Sequence, residues 1–84
     1  MTIYLVVDPL GISQAFTSFK EAKEKFEILK QNCKHVHQQD RSFSYRNLSS
    51  VIDDEQIEQF SARYKNHKGF WTPEIYSLQK INIQ

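Results

Sequence analysis

The segment Arg63-Tyr64-Lys65-Asn66-His67-Lys68-Gly69-Phe70-Trp71 gathers three permanent cations and three aromatic rings in one short stretch. That mixture suits single-stranded nucleic acid, because Lys and Arg follow phosphates while aromatic rings stack on bases. It equally suits a protein interface, where Trp, Tyr and Arg supply most of the anchoring energy. A plainer role is also available. Tyr64 falls on the apolar stripe of an expected helix, and Phe70 or Trp71, just beyond Gly69, could close that helix end by hydrophobic contact.

Two further groups carry chemistry by residue type. Cys33, His35 and His37 alternate, so an extended chain would turn a thiol and two imidazoles to one side, with His67 or Asp40 as a distant fourth zinc ligand. That spacing matches no well-specified zinc pattern, and exposed histidines beside a partly buried thiol explain it as well. A nucleophilic Cys33 is disfavoured, because the C-terminal end of the first expected helix opposes thiolate formation. Asp53, Asp54, Glu55 and Glu58 cluster where a second helix is expected to begin. Acids are ordinary there, since they meet the positive end of the helix dipole.

The chain lacks the Gly-rich phosphate loop, the HExxH helix, the calcium loop and the Gly-x-Ser-x-Gly elbow. Gly11 and Gly69 are its only glycines, so few places allow a ligand close to the backbone. A core this small can hardly enclose a reaction pocket. No catalytic residue, metal or cofactor is expected.

These residues must be positioned by a single small domain, 1–84, because a chain of 84 residues has too much surface to build two cores. Six Phe, four Tyr and one Trp can fill one core without a staple. Cys33 is the only cysteine, which excludes an intrachain disulfide and fits a reducing compartment. The N-terminal apolar run stops at Asp8-Pro9, short of a signal-peptide core or a membrane span. The reading is a cytoplasmic protein without a membrane partner. Its formal charge of +1 gives no global attraction to nucleic acid.

The local signals are strongest at the start. Ile3–Val7 is an apolar, β-branched strand; Asp8-Pro9-Leu10-Gly11 supplies turn chemistry; Ile12–Phe16 alternates as a returning strand. Ser18-Phe19-Lys20-Glu21 is a capping box that opens a helix from Phe19 to near Asn32, with Phe19, Ala22, Phe26, Leu29 and Cys33 on one stripe. The middle, 34–50, is weaker, with a short strand around Phe43 to Arg46 or an ordered loop. Asp53 as cap, Gln56 at the reciprocal position and the stripe Ile57, Phe60, Tyr64 predict a second helix ending near Asn66 to Lys68, with Gly69 as its C′ residue. Ile75 to Ile83 reads as a closing strand whose apolar parity shifts between Leu78 and Ile81, which predicts a bulge or two short pieces. Because Ile3–Val7 is apolar on both parities, it should lie between its hairpin partner and the C-terminal strand.

The expected fold is therefore α+β, in the order ββα-α-β, with helices over one face of an antiparallel sheet. The leading functional expectation is a small non-enzymatic protein-interaction or regulatory module, docking on a protein partner or on itself at an open sheet edge. Its candidate binding residues are Phe43, Tyr45, Arg46, Arg63, Lys65, Phe70 and Trp71. The alternative is a nucleic-acid binder that uses Arg63, Lys65, Lys68 and Trp71.

Overall fold

The computed structural model describes residues 1–48 and 56–83. It has the order β1 (Thr2–Val7), β2 (Ser13–Phe16), α1 (Phe19–Gln39), β3 (Phe43–Asn47), β4 (Gln56–Lys65) and β5 (Trp71–Asn82). The strands form one antiparallel sheet in the order β2-β1-β5-β4-β3. The α+β class stands, but ββα-α-β gives way to ββαβββ with one helix among the described residues. Asp53, the expected cap of a second helix, lies outside the described residues, and Gln56 onward is strand.

The first hairpin and the helix start follow the local code. Asp8 Oδ1 accepts from the Leu10 and Ile12 amides at 2.9 and 3.0 Å, and Gly11 takes φ +84°. This closes a tight loop that only a residue free of Cβ strain adopts at low cost. Ser18 is extended and its hydroxyl accepts from the Glu21 amide at 3.4 Å. The helix then runs past Asn32 to Gln39, because the stripe of Ala22, Phe26, Leu29 and Cys33 continues through Val36 and nothing interrupts it before Asp40. Cys33 is thus inside the helix, and the alternation of Cys33, His35 and His37 is wound apart: the thiol is buried while both imidazoles are exposed.

The helix leaves one edge strand, β2, and delivers the chain to the other, β3, so it straps across one sheet face. Beneath it lie Val6, Phe43, Phe60, Ala62 and Leu78, packed with Ala22, Phe26 and Cys33 from the helix. Phe60 is the hub. Its ring stacks on Tyr76 at 4.6 Å and meets Phe26 edge-on at 5.2 Å.

Register explains the segment expected to be helical. Glu58, Phe60 and Ala62 pair with Leu78, Tyr76 and Glu74, and Tyr64 continues the alternation, so this set faces the helix. Ile57 is the extra residue of a bulge between Gln56 and Glu58. The irregularity expected within the last strand therefore sits in its neighbour. β5 pairs with β1 without a break, and its parity shift reflects apolar residues on both faces, Leu78 inward and Ile81 outward.

Candidate functional site

Cross-strand partners point to one side of a sheet, so the pairings define the face that the helix leaves open. β1 contributes Ile3, Leu5 and Val7; β5 contributes Trp71, Ile75, Ser77, Gln79 and Ile81; β4 contributes Gln59, Ser61, Arg63 and Lys65; β3 contributes Ser44 and Arg46. No described element covers it. Ile75 and Trp71 are 48% and 42% exposed, and Ile3, Leu5, Val7 and Ile81 are partly exposed. Ser61 and Ser77 are buried at its centre, where short side chains lie below the level of their longer neighbours; Gln79 Nε2 donates to Ser77 Oγ at 3.0 Å.

The cations are collected on one half. Arg63 sits opposite Ser44, Arg46 is two residues along the same strand as Ser44, and Lys65 is two residues beyond Arg63. Lys65 and Trp71 are direct cross-strand partners, and the Lys65 ammonium lies 6.0 Å from the Trp71 ring centre. Among the described residues this face carries no carboxylate. Asp8 is in the first turn, Glu21, Glu24 and Glu27 are on the helix, Asp40 caps it, and Glu58 and Glu74 are on the helix-facing side. Arg63 Nε is buried and donates to no acceptor among the described residues.

The loop that joins β4 to β5 repeats the construction of the first hairpin. Asn66 Oδ1 accepts from the Lys68 and Phe70 amides at 2.9 and 3.0 Å, and Gly69 takes φ +86°. Asp8-Pro9-Leu10-Gly11-Ile12 and Asn66-His67-Lys68-Gly69-Phe70 are the same five-residue turn, an acceptor side chain first and a left-handed glycine fourth. The second turn fixes Lys68 and Phe70 at the tip, with Phe70 68% exposed.

Of the residues singled out from sequence, Arg46, Arg63, Lys65 and Trp71 share the open face, and Lys68 and Phe70 extend it at the hairpin tip. Phe43 and Tyr45 are on the opposite side. Phe43 is 3% exposed and packs edge-on against Tyr64 at 4.6 Å, so it is core and unavailable to a partner. Tyr45 packs against Phe60, with Lys34 over its ring. The aliphatic half of the face, Ile3, Leu5, Val7, Ile75 and Ile81, was not singled out as a binding surface. Its signal was the double-sided apolarity of β1, which serves two different surfaces.

A groove of about 390 Å³ lies where the helix passes the first turn, lined by Asp8, Leu10, Ile12, Lys25, Leu29 and Tyr76 among others. Two of its polar groups, Asp8 and Tyr76, are ill suited to acid–base work. Asp8 is committed to the turn amides. Burial, with the neighbouring Cys33 and Glu74, pushes the Tyr76 phenol up to about 12, so it stays protonated. Burial likewise pushes the Cys33 thiol up, which opposes thiolate formation. Among the described residues no group of three or more His, Cys, Asp or Glu is placed to hold a metal ion. Nor is any described helix long and apolar enough to cross a membrane.

The chain matches no protein-family model, and neither a curated protein nor a solved structure is detectably similar to it.

Proposed function

We propose that this chain is a non-enzymatic module that docks on a protein partner through the open face of its sheet. The observation that supports this reading is the composition of that face: five aliphatic side chains, Ile3, Leu5, Val7, Ile75 and Ile81, in partial contact with water beside Arg46, Arg63, Lys65 and Trp71. Apolar side chains beside Arg and Trp are the composition from which protein interfaces draw most of their binding energy. The nucleic-acid alternative draws on the same cations but has few stacking rings, with Phe70 only at the hairpin tip. Trp71 is the one aromatic among the described residues of the face, and Lys65 already lies beside it.

The reading is tested by placing a photo-crosslinking residue at Ile75, on the open face, or at Ile28, on the outer side of the helix and 56% exposed. The full chain is then irradiated in extract of its own cells after nuclease treatment. The expected result is one discrete protein adduct from position 75, absent from position 28 and lost with Leu5→Asp, whose purified protein rebinds the isolated chain. Equal adducts from both positions, or an adduct that nuclease removes, overturn it.

A further inference from the structure

We infer that the partner presents carboxylates to the row Arg46, Arg63 and Lys65 and an apolar strip to the β1–β5 half of the face; this rests on the docking reading and names the chemistry of its occupant. Three features converge on an anionic counterpart. The row places three permanent cations on adjacent positions of β3 and β4. None has a carboxylate partner among the described residues, where the ion pairs join only Lys23 and Lys30 to Glu27 and Glu58. Arg63 also holds a buried Nε–H that donates to no acceptor among the described residues, a state that costs free energy until an acceptor arrives.

Elsewhere the molecule meets its partly buried lysines with carboxylates. Lys30 is 9% exposed in its side chain and bonds to Glu58, which also accepts from Lys23 at 2.6 Å. The contrast is therefore one of placement. Acids are present along the helix and under it, while the described part of the open face holds cations alone.

The same inventory disfavours a second copy as the occupant. Two such faces packed together would bring cations to a surface with no described carboxylate to receive them, and like charges at an interface oppose association. A different protein can combine leucine-type side chains over Ile3, Leu5, Ile75 and Ile81 with Asp or Glu over Arg46, Arg63 and Lys65. Planar guanidinium groups recognise carboxylates through paired N–H donors, which gives orientation as well as attraction.

The test uses the full chain and two tryptophan-free helical peptides, one with a leucine face flanked by glutamates and the other with lysines in place of those glutamates. Trp71, the only tryptophan, reports binding through its fluorescence. The expected result is a saturable change with the glutamate peptide that weakens at high salt, and none with the lysine peptide. Arg63→Gln and Lys65→Gln should each weaken binding by about tenfold, roughly one good charge pair. Arg46→Glu/Lys65→Glu, which changes exposed positions only, should reverse the preference toward the lysine peptide.

Equal binding of both peptides, or binding of the glutamate peptide that survives Arg63→Gln, Lys65→Gln and Arg46→Glu/Lys65→Glu, overturns the acidic partner and leaves the docking reading standing. Binding of neither peptide, with a saturable response to oligothymidylate that high salt abolishes, overturns both in favour of nucleic acid. Binding of none of the three probes also overturns the inference, while the crosslinking experiment decides the docking reading separately.

Discussion

Lys30, on the buried side of the helix, forms an ion pair with Glu58 of β4, and Lys23 reaches the other oxygen of the same carboxylate at 2.6 Å. One carboxylate thereby fastens two turns of the helix to the sheet. Glu27 adds a more exposed contact, 2.8 Å from Lys23 and 3.7 Å from Lys30. Removing one member of such a pair leaves the other desolvated and uncompensated, whereas replacing both with apolar groups removes the penalty along with the attraction. Glu58→Gln should lower unfolding stability by on the order of 3 kcal/mol, and Lys30→Met/Glu58→Leu should recover most of that loss. Denaturant unfolding of the wild type, Glu58→Gln and the double variant checks both values.

The same carboxylate gives stability a pH dependence in acid. Burial pushes the Glu58 carboxyl up, but the bonds and charges of Lys23 and Lys30 outweigh it and hold the group below the usual carboxylate range. A lowered folded value means that the unfolded chain binds the proton first as pH falls. The contribution of Glu58 is complete above the ordinary glutamate pKa and is lost as pH falls through its folded value. Urea midpoints of the wild type and Glu58→Gln should therefore converge across that acid interval and differ most near neutrality.

Gly11 and Gly69 carry the left-handed position of two matching turns. A Cβ would meet nothing within 4 Å at Gly11 and only Lys65 Cε at 3.8 Å at Gly69, so the cost of substitution is conformational rather than steric crowding. Gly11→Ala and Gly69→Ala should each lose about 1–2 kcal/mol, the penalty of a left-handed backbone for an L-residue. Thermal or denaturant unfolding should show similar losses at the two sites, with Gly→Asn milder than Gly→Ala at each.

His37, in the last turn of the helix, reaches the free edge of the sheet. Its Nδ1 lies 3.1 Å from the Phe43 carbonyl oxygen and 3.4 Å from the Tyr45 amide nitrogen. One tautomer donates from Nδ1 to the carbonyl and the other accepts there from the amide, so the ring engages either backbone group of the β3 edge. His37→Ala should expose that edge. The expected outcome is faster hydrogen exchange at the Tyr45 amide and a loss of about 0.5–1.5 kcal/mol, the range of one hydrogen bond.

The fold was legible in the sequence wherever local chemistry and tertiary packing agreed. Asp8-Pro9-Leu10-Gly11 and the Ser18 to Glu21 box each determine their own turn, and β1, apolar on both parities, is flanked by β2 and β5 as its pattern requires. β4 was not legible, because its inward set contains Glu58. A charge at a core-facing position breaks the alternation of a strand, and Ile57 in the bulge restores an i, i+3, i+7 spacing with Phe60 and Tyr64 that imitates a helix. Glu58 can face inward because Lys23 and Lys30 meet it there, and those partners come from the helix rather than from the neighbouring sequence of β4. Gly69 was correctly read as left-handed, but a helix C-terminus and a hairpin loop both ask for that conformation. Asn66 three residues before it, matching Asp8 before Gly11, separates the two. Of the candidate binding residues, the basic set was legible from its density, whereas Phe43 and Tyr45 alternate with Ser44 and Arg46, and composition alone could not assign which parity faces the core.

The pairing of Thr2 with Asn82 has a kinetic meaning. β1, β2 and the helix are joined by neighbours in sequence, and so are β3, β4 and β5, but the seam between β1 and β5 pairs residues as far apart as Thr2 and Asn82. Closing so long a loop costs entropy that no local turn offsets. The two halves can acquire hairpins and helix quickly, while the central seam waits for their encounter, so folding should be slow for a chain of this size and rate-limited at β1 against β5. Substitutions at Val6 or Leu78, which meet across that seam, should slow folding more than substitutions at the hairpin tips.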